Sequence, residues 1–186
     1  MVVSEKPQRR VFVAVPVPGE VRAALADRLT AAEIPGRVVP PENWHFTLRF
    51  VGWVDEVGYD RLLGALDVSQ LGSPFEIGLG SMGAFPRPGR ANVVWLDVIR
   101  GMERLEELAS VAEEAARSAG FEAEERPFRV HLTLSRVRPA EDVSDLVSGF
   151  PAVGLDWRCA SIVVYQSHLG RGGARYEALE TFPLSR

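Results

Sequence analysis

The chain has 186 residues, of which 46% are hydrophobic and 25% charged, and a formal net charge of −4. That length suits one domain, or two small lobes sharing a core, and buries roughly two thirds of the unfolded chain's surface. The composition excludes a globally basic nucleic-acid surface. No run approaches the roughly 18 apolar residues of a spanning helix, and Cys159, the single cysteine, rules out an internal disulfide or a four-cysteine zinc site. It fits a reducing cytosol. Lys6 is the only lysine, so any anion site must be a local cluster of arginines, whose planar fork matches phosphate.

Residues 1–9 read as a loose tail. The apolar run after Arg9 and Arg10 is broken by Pro16 and Pro18 and is too short for a signal-peptide core. Residues 10–16, RVFVAVP, are β-branched and aromatic and predict a strand. Residues 19–33 follow with helical spacing, Val21, Leu25 and Leu29 sharing a face. The segment IPGRVVPPEN is a loop with a short strand at best. WHFTLRFVG is a strand, and residues 55–68 a helix.

Strands are expected near 74–81 and 92–99, joined by the turn-rich GAFPRPGRAN. Residues 101–119 are the clearest helix, with an apolar stripe of Leu105, Leu108, Val111, Ala112 and Ala115 before Gly120. FRVHLTLSRV is a strand, 140–148 a short helix, and 156–166 and 174–181 two strands joined by SHLGRGGA. These elements make residues 10–186 one domain of two related α+β lobes.

Two of the three histidines open the same pattern, His-Phe-Thr-Leu from His45 and His-Leu-Thr-Leu from His131. Strand side chains alternate between faces. His45, Thr47 and Arg49 are therefore expected on one face, and Arg129, His131, Thr133 and Ser135 on one face of the second strand. If the lobes face each other, two imidazoles and two hydroxyls line a common cleft. An imidazole titrates near about 6.5, so one can accept a proton while the other gives one. Threonine hydroxyls can bind non-bridging oxygens of an anionic centre, and arginine can neutralise charge on phosphorus. This is phosphodiester chemistry that uses no metal. A single such motif is more often an ordinary polar strand face, but two copies outweigh that reading. A metal site would need a third ligand, from His168 or an unplaced carboxylate.

The sequence resembles the 2H phosphoesterase superfamily, and within it the bacterial and archaeal 2′–5′ RNA ligases, also called RNA 2′,3′-cyclic phosphodiesterases. Both motifs match, as do RVFVAVPVPGEVRAAL, PENWHFTLRFVGWV, GAFPRPGRANVVWLDV and VVYQSHLGRGGARYEAL, so the likeness covers nearly all of residues 10–182. Val130 stands where the family commonly has proline, which frees an N–H and removes no catalytic group. The resemblance implies a bilobal α+β 2H phosphoesterase fold: two pseudo-symmetric lobes, antiparallel sheets around a central cleft, helices outside. It implies catalytic roles for His45, Thr47, His131 and Thr133, and phosphate contact by Arg136, which strand parity alone would turn away from the cleft. It implies no metal or other cofactor, and RNA ends bearing a 2′,3′-cyclic phosphate, tRNA-like fragments among them, as partner. The expected form is a cytoplasmic monomer with no membrane partner.

Arg129 and Arg49 share faces with the motif histidines and are further candidate phosphate contacts. Tyr165 could stack on a base, although a tyrosine ending SIVVY more often packs in a core. Trp44 and Trp95 read as packing residues, His168 as solvent-exposed, Arg87 and Arg90 as loop charges, and GRGG as a hairpin turn. Two alternatives stay open: a cyclic phosphodiesterase of a small nucleotide or ADP-ribose derivative, and a non-catalytic module that binds RNA ends. The first turns on whether basic residues, Arg87, Arg90 and Arg171 among them, extend from the cleft along a groove.

Overall fold

Alternation of valines builds the first strand: Val11, Val13 and Val15 are each fully buried on one face of β1 (Arg9–Pro16). The computed structural model describes residues 8–170 and 173–185. After β1 the chain forms α1 (Gly19–Leu29), β2 (Arg37–Val38), a 3-10 turn at Pro41–Asn43 and β3 (His45–Val54). It continues through α2 (Glu56–Asp67), β4 (Phe75–Arg87), β5 (Arg90–Arg100) and α3 (Met102–Ser118). The last elements are β6 (Leu132–Glu141), α4 (Ser144–Gly149), β7 (Leu155–Cys159), β8 (Ser161–Gly170) and β9 (Gly173–Pro183).

The strands form two antiparallel sheets, ordered β3-β1-β8-β9 and β2-β6-β5-β4-β7. Four helices cover them, α3 on β3 and α2, α4 on β4, and α1 against β7. The fold is the expected α+β pair of sheets. The lobes are not the two halves of the chain, however: β2 joins the second sheet, and β8 and β9 return to complete the first. Leu25, Leu62, Leu66, Leu96, Leu105 and Leu132 are buried to less than 2% exposure, and burying each such side chain contributes about 2 kcal/mol.

Three expected boundaries move. The run at 156–166 is two strands in different sheets, β7 and β8, parted at Ala160. It contains no Gly or Pro, so nothing local marks the switch. The GAFPRPGRAN segment is mostly ladder, with Ala84 opposite Val94 and Phe85 opposite Val93, and only Pro88 and Gly89 turn. Pro86 falls at a register irregularity, where its missing N–H costs no ladder bond. The expected strand from Phe128 begins at Leu132, because residues 128–131 have no neighbouring strand to pair with.

Both motif strands carry a one-residue bulge at the same place. In the first sheet Ala14 opposes Thr47 and Val13 opposes Arg49, so Leu48 is the extra residue. In the second, Trp95 opposes Thr133 and Val94 opposes Ser135, so Leu134 is the extra residue. A bulge resets the alternation of faces. Arg49 and Ser135 therefore leave the face of their histidines and are buried, at 7% and 0% exposure. Phe50 and Arg136 take the places they were expected to hold.

Buried in this way, Arg49 ties β3 to α3. Its Nε lies 2.5 Å from Glu113 Oε2, and Nη1 donates to the Phe50 carbonyl at 2.5 Å. Nη2 donates to the Glu122 carbonyl, and Glu124 lies 3.8 Å from Nη1. Removing one partner of a buried pair is costly because it leaves the other's charge uncompensated. Glu113→Gln, which leaves Arg49 its two carbonyl acceptors, should lower unfolding free energy by about 2 kcal/mol, and Arg49→Met, which strips both carbonyls of their donor and leaves the buried Glu113 Oε2 uncompensated, should cost more. Urea titrations check the order; the reverse order refutes this role for Arg49.

Candidate active site

Each motif histidine is anchored by the chain just before it. His45 Nδ1 lies 2.7 Å from the Asn43 carbonyl oxygen and His131 Nδ1 2.7 Å from that of Arg129. A carbonyl oxygen only accepts, so Nδ1 carries the hydrogen in both rings. In the neutral imidazole Nε2 then presents a lone pair. His45 Nε2 is 2.9 Å from Thr47 Oγ1, so the threonine hydroxyl donates to it.

The two rings face one cleft of about 520 Å³ between the sheets, lined also by Thr47, Thr133, Arg10, Arg126 and Arg136. Among the described residues no Asp or Glu lines it. Nor do three or more His, Cys, Asp or Glu side chains anywhere among them converge as a metal site would require.

Aromatic walls hold the imidazoles. The His45 ring lies 4.9 Å from Phe12 and 5.1 Å, edge-on, from Tyr176. His131 lies 5.2 Å, also edge-on, from Phe85 and 6.5 Å from Trp95. Burial in these walls is the main reason that His45 titrates low, at about 4; the Asn43 carbonyl opposes it, and His131 and Arg136 add to it. His131 is also lowered, first by burial and then, against the Arg129 carbonyl, by Arg136. Both rings are therefore neutral near pH 7.

Of the residues singled out from the sequence, the structure brings together His45, Thr47, His131, Thr133 and Arg136. Arg136 arrives by way of the bulge at Leu134. Arg49 does not line this cleft, because the bulge at Leu48 turns it toward Glu113. Arg129 is exposed, with its guanidinium 5.8 Å over the Phe85 ring in a neighbouring groove; its carbonyl, not its charge, touches His131. Tyr165 stacks on Phe12 at 5.3 Å behind His45, and Tyr176, on the next strand, faces the cleft instead. Trp44 is buried. Trp95 packs on its strand, as expected, and backs His131 as well. His168 Nε2 is 2.8 Å from Glu177 on the hairpin. Arg87 ends β4 and Arg90 opens β5, and neither lines the cleft. Arg171 and the centre of GRGG lie outside the described residues; Gly170 and Gly173 on either side are ladder partners of β8 and β9.

Sequence reasoning missed Arg10, Phe12, Phe50, Arg126 and Tyr176. Arg10 and Phe12 were within reach, since period-2 alternation opposite the buried valines puts both on the cleft face. Arg10 Nη1 donates to Ser167 Oγ at 3.2 Å, and its guanidinium lies 4.6 Å over Phe50.

The arrangement has counterparts of known kind. A protein from Aeropyrum pernix named RNA 2′,3′-cyclic phosphodiesterase is 36% identical over 162 residues, 84% of this chain and 91% of that one. The Escherichia coli (strain K12) protein of the same name is 32% identical over 185 residues, covering 96% and 98%. The crystal structure of E. coli LigT complexed with 3′-AMP superposes with a TM-score of 0.80 at 26% identity, over 97% of this chain and all of that one. The family model described as LigT-like phosphoesterase matches residues 15–95 and 99–176, one motif in each segment, and the chain belongs to that family.

Proposed function

We propose that the protein is a metal-independent RNA 2′,3′-cyclic phosphodiesterase that opens terminal cyclic phosphates to 2′-phosphomonoesters, with His45, Thr47, His131 and Thr133 as its catalytic residues. The observation that carries this reading is the pair of neutral imidazoles whose Nε2 atoms face one arginine-lined cleft with no carboxylate among its described lining residues. Such a cleft favours an anion and supplies a proton acceptor in each wall. The names of the relatives point to the cyclic phosphate on RNA.

In the proposed reaction His131 Nε2 takes a proton from water as its oxygen bonds to phosphorus. The P–O3′ bond breaks in line, and His45 gives a proton to O3′, leaving the phosphate on O2′. Joining follows the same path with a 5′-hydroxyl in place of water: His131 takes its proton, His45 gives one to O3′, and a 2′–5′ linkage results, which by microscopic reversibility cleaves back to the cyclic phosphate with the two roles exchanged. Arg136 offsets charge building on the phosphoryl oxygens. Thr47 donates to His45 Nε2 while that ring is neutral; once the ring is charged, its hydroxyl is released to a non-bridging oxygen, as Thr133 holds another. The depressed pKa of His45 makes its imidazolium a strong acid, and the bound phosphate's negative charge favours that form.

Hydrolysis should survive EDTA, because proton transfer and arginine charge fill the roles a metal would take; loss restored only by a divalent ion would falsify the metal-free part. The pH profile should be a bell belonging to the coupled pair. His45 falls to about 4 in the free protein and His131 below its ordinary value. The kcat/KM bell should therefore lie on the acid side of about 6.5. The kcat bell, measured with the anionic phosphate in place, should sit at higher pH. A kcat/KM optimum above neutrality contradicts the burial argument. Alanine at either histidine should cost at least about 10² in rate. With sulfur replacing O3′, a leaving group that needs no proton, His45→Ala should recover much activity and His131→Ala should not. Rescue of His131→Ala instead reverses the assignment.

A further inference from the structure

The cleft continues in two directions. Toward Phe50 and Phe128 it opens into a groove that Glu113 and Glu124 also line. On the other side, past Arg136, it opens into a smaller groove of about 250 Å³ between β2 and the β8–β9 hairpin, where no described lining residue is acidic. Arg37 stands in that second arm. A strand's charged backbone leaves the cleft most favourably where carboxylates are absent.

Arg37 is placed there by construction. It is the direct antiparallel partner of Arg136 across β2 and β6, and such partners point to the same face with Cβ atoms about 5 Å apart. Like charges in that position repel. Neither guanidinium has a carboxylate within ion-pair distance among the described residues. Two glycines make the arrangement fit. Gly36 has φ +78°, and a Cβ on it would lie 2.5 Å from the Arg136 carbonyl oxygen, so only glycine lets β2 approach β6 this closely. Gly173 has φ +123°, and the Arg37 guanidinium lies where its Cβ would be. Two unpaired cations held side by side at the mouth of an anion cleft form a site for two negative groups.

We propose that Arg37 binds the internucleotide phosphate next to the scissile one, one nucleotide toward the 5′ end, while Arg136 serves the cyclic phosphate. The proposal rests on the cyclic-phosphate reading above and gives it a specificity determinant: the cleft prefers the end of a strand to a free cyclic mononucleotide.

Wild-type protein and Arg37→Ala are compared on 2′,3′-cyclic AMP, which has no internucleotide phosphate, and on a dinucleotide ending in the same cyclic phosphate. The wild type should prefer the dinucleotide in kcat/KM. That preference should fall about tenfold in Arg37→Ala, the worth of one charge-assisted contact, and return in large part in Arg37→Lys. An unchanged preference overturns the proposal. So do equal losses on both substrates, which would put Arg37 on the scissile phosphate. Binding of the two products, 2′-AMP and the dinucleotide 2′-phosphate, gives the same comparison without turnover. For the dinucleotide the slope of log K against log salt should fall by about 0.7, one single-strand phosphate contact, in Arg37→Ala and stay constant in Arg158→Ala, a change far from the cleft. A wild type that binds both products and opens neither cyclic phosphate defeats the catalytic reading, while the slope still decides Arg37: a slope equal in wild type and Arg37→Ala overturns its assignment.

Discussion

A hydrogen bond from an imidazole Nδ1 to the carbonyl two residues earlier is made twice, once in each sheet. It is short-range and depends only on the backbone turning just before the motif strand. It fixes the ring's tautomer and aims Nε2 away from its own chain, across the cleft. Everything else at the site is arranged around two acceptors pointing inward. The aromatic walls press on ring faces and edges that the bond has oriented, and the motif threonines sit where strand alternation puts them relative to a fixed ring.

The electrostatic balance follows from that arrangement. Aromatic neighbours remove water from the imidazoles and disfavour their charged forms, and Arg136 disfavours them further. A cleft with three arginines at its lining and no described carboxylate already holds excess positive charge. Adding an imidazolium to it is costly until an anion arrives. Proton affinity and anion affinity are thus linked: each raises the other, as linkage between two sites requires.

Much of this was legible in the sequence. The repeated His-x-Thr-x pattern located both imidazoles and both hydroxyls, and alternation placed them on common faces. The same alternation failed one step later, at Arg49 and Ser135, because a single extra leucine in each strand resets the period. Leu48 and Leu134 look like any other apolar strand residue, so no local signal announces the bulges. Resemblance retained Arg136 where periodicity turned it away. The division of 156–166 between two sheets was hidden for a similar reason: β-branched runs specify extended backbone but not the neighbour they pair with. Tyr176 was lost because its value depends on β9 lying against β8, a relation that exists only in three dimensions.

The order of strands in the first sheet has a consequence for synthesis. His45 and β1 emerge early from the ribosome, but Tyr165 and Tyr176, which close around Phe12 and His45, lie on the two last strands. Until those strands are made, one edge of β1 stays unpaired and the wall beside His45 is open to water. Pairings this distant along the chain close slowly, since the loop entropy must be met before any contact forms. A partly made chain would therefore carry the first motif with its imidazole still solvated and its ordinary basicity. The depressed proton affinity, and with it the coupling to an anion, comes into being only when the final hairpin docks.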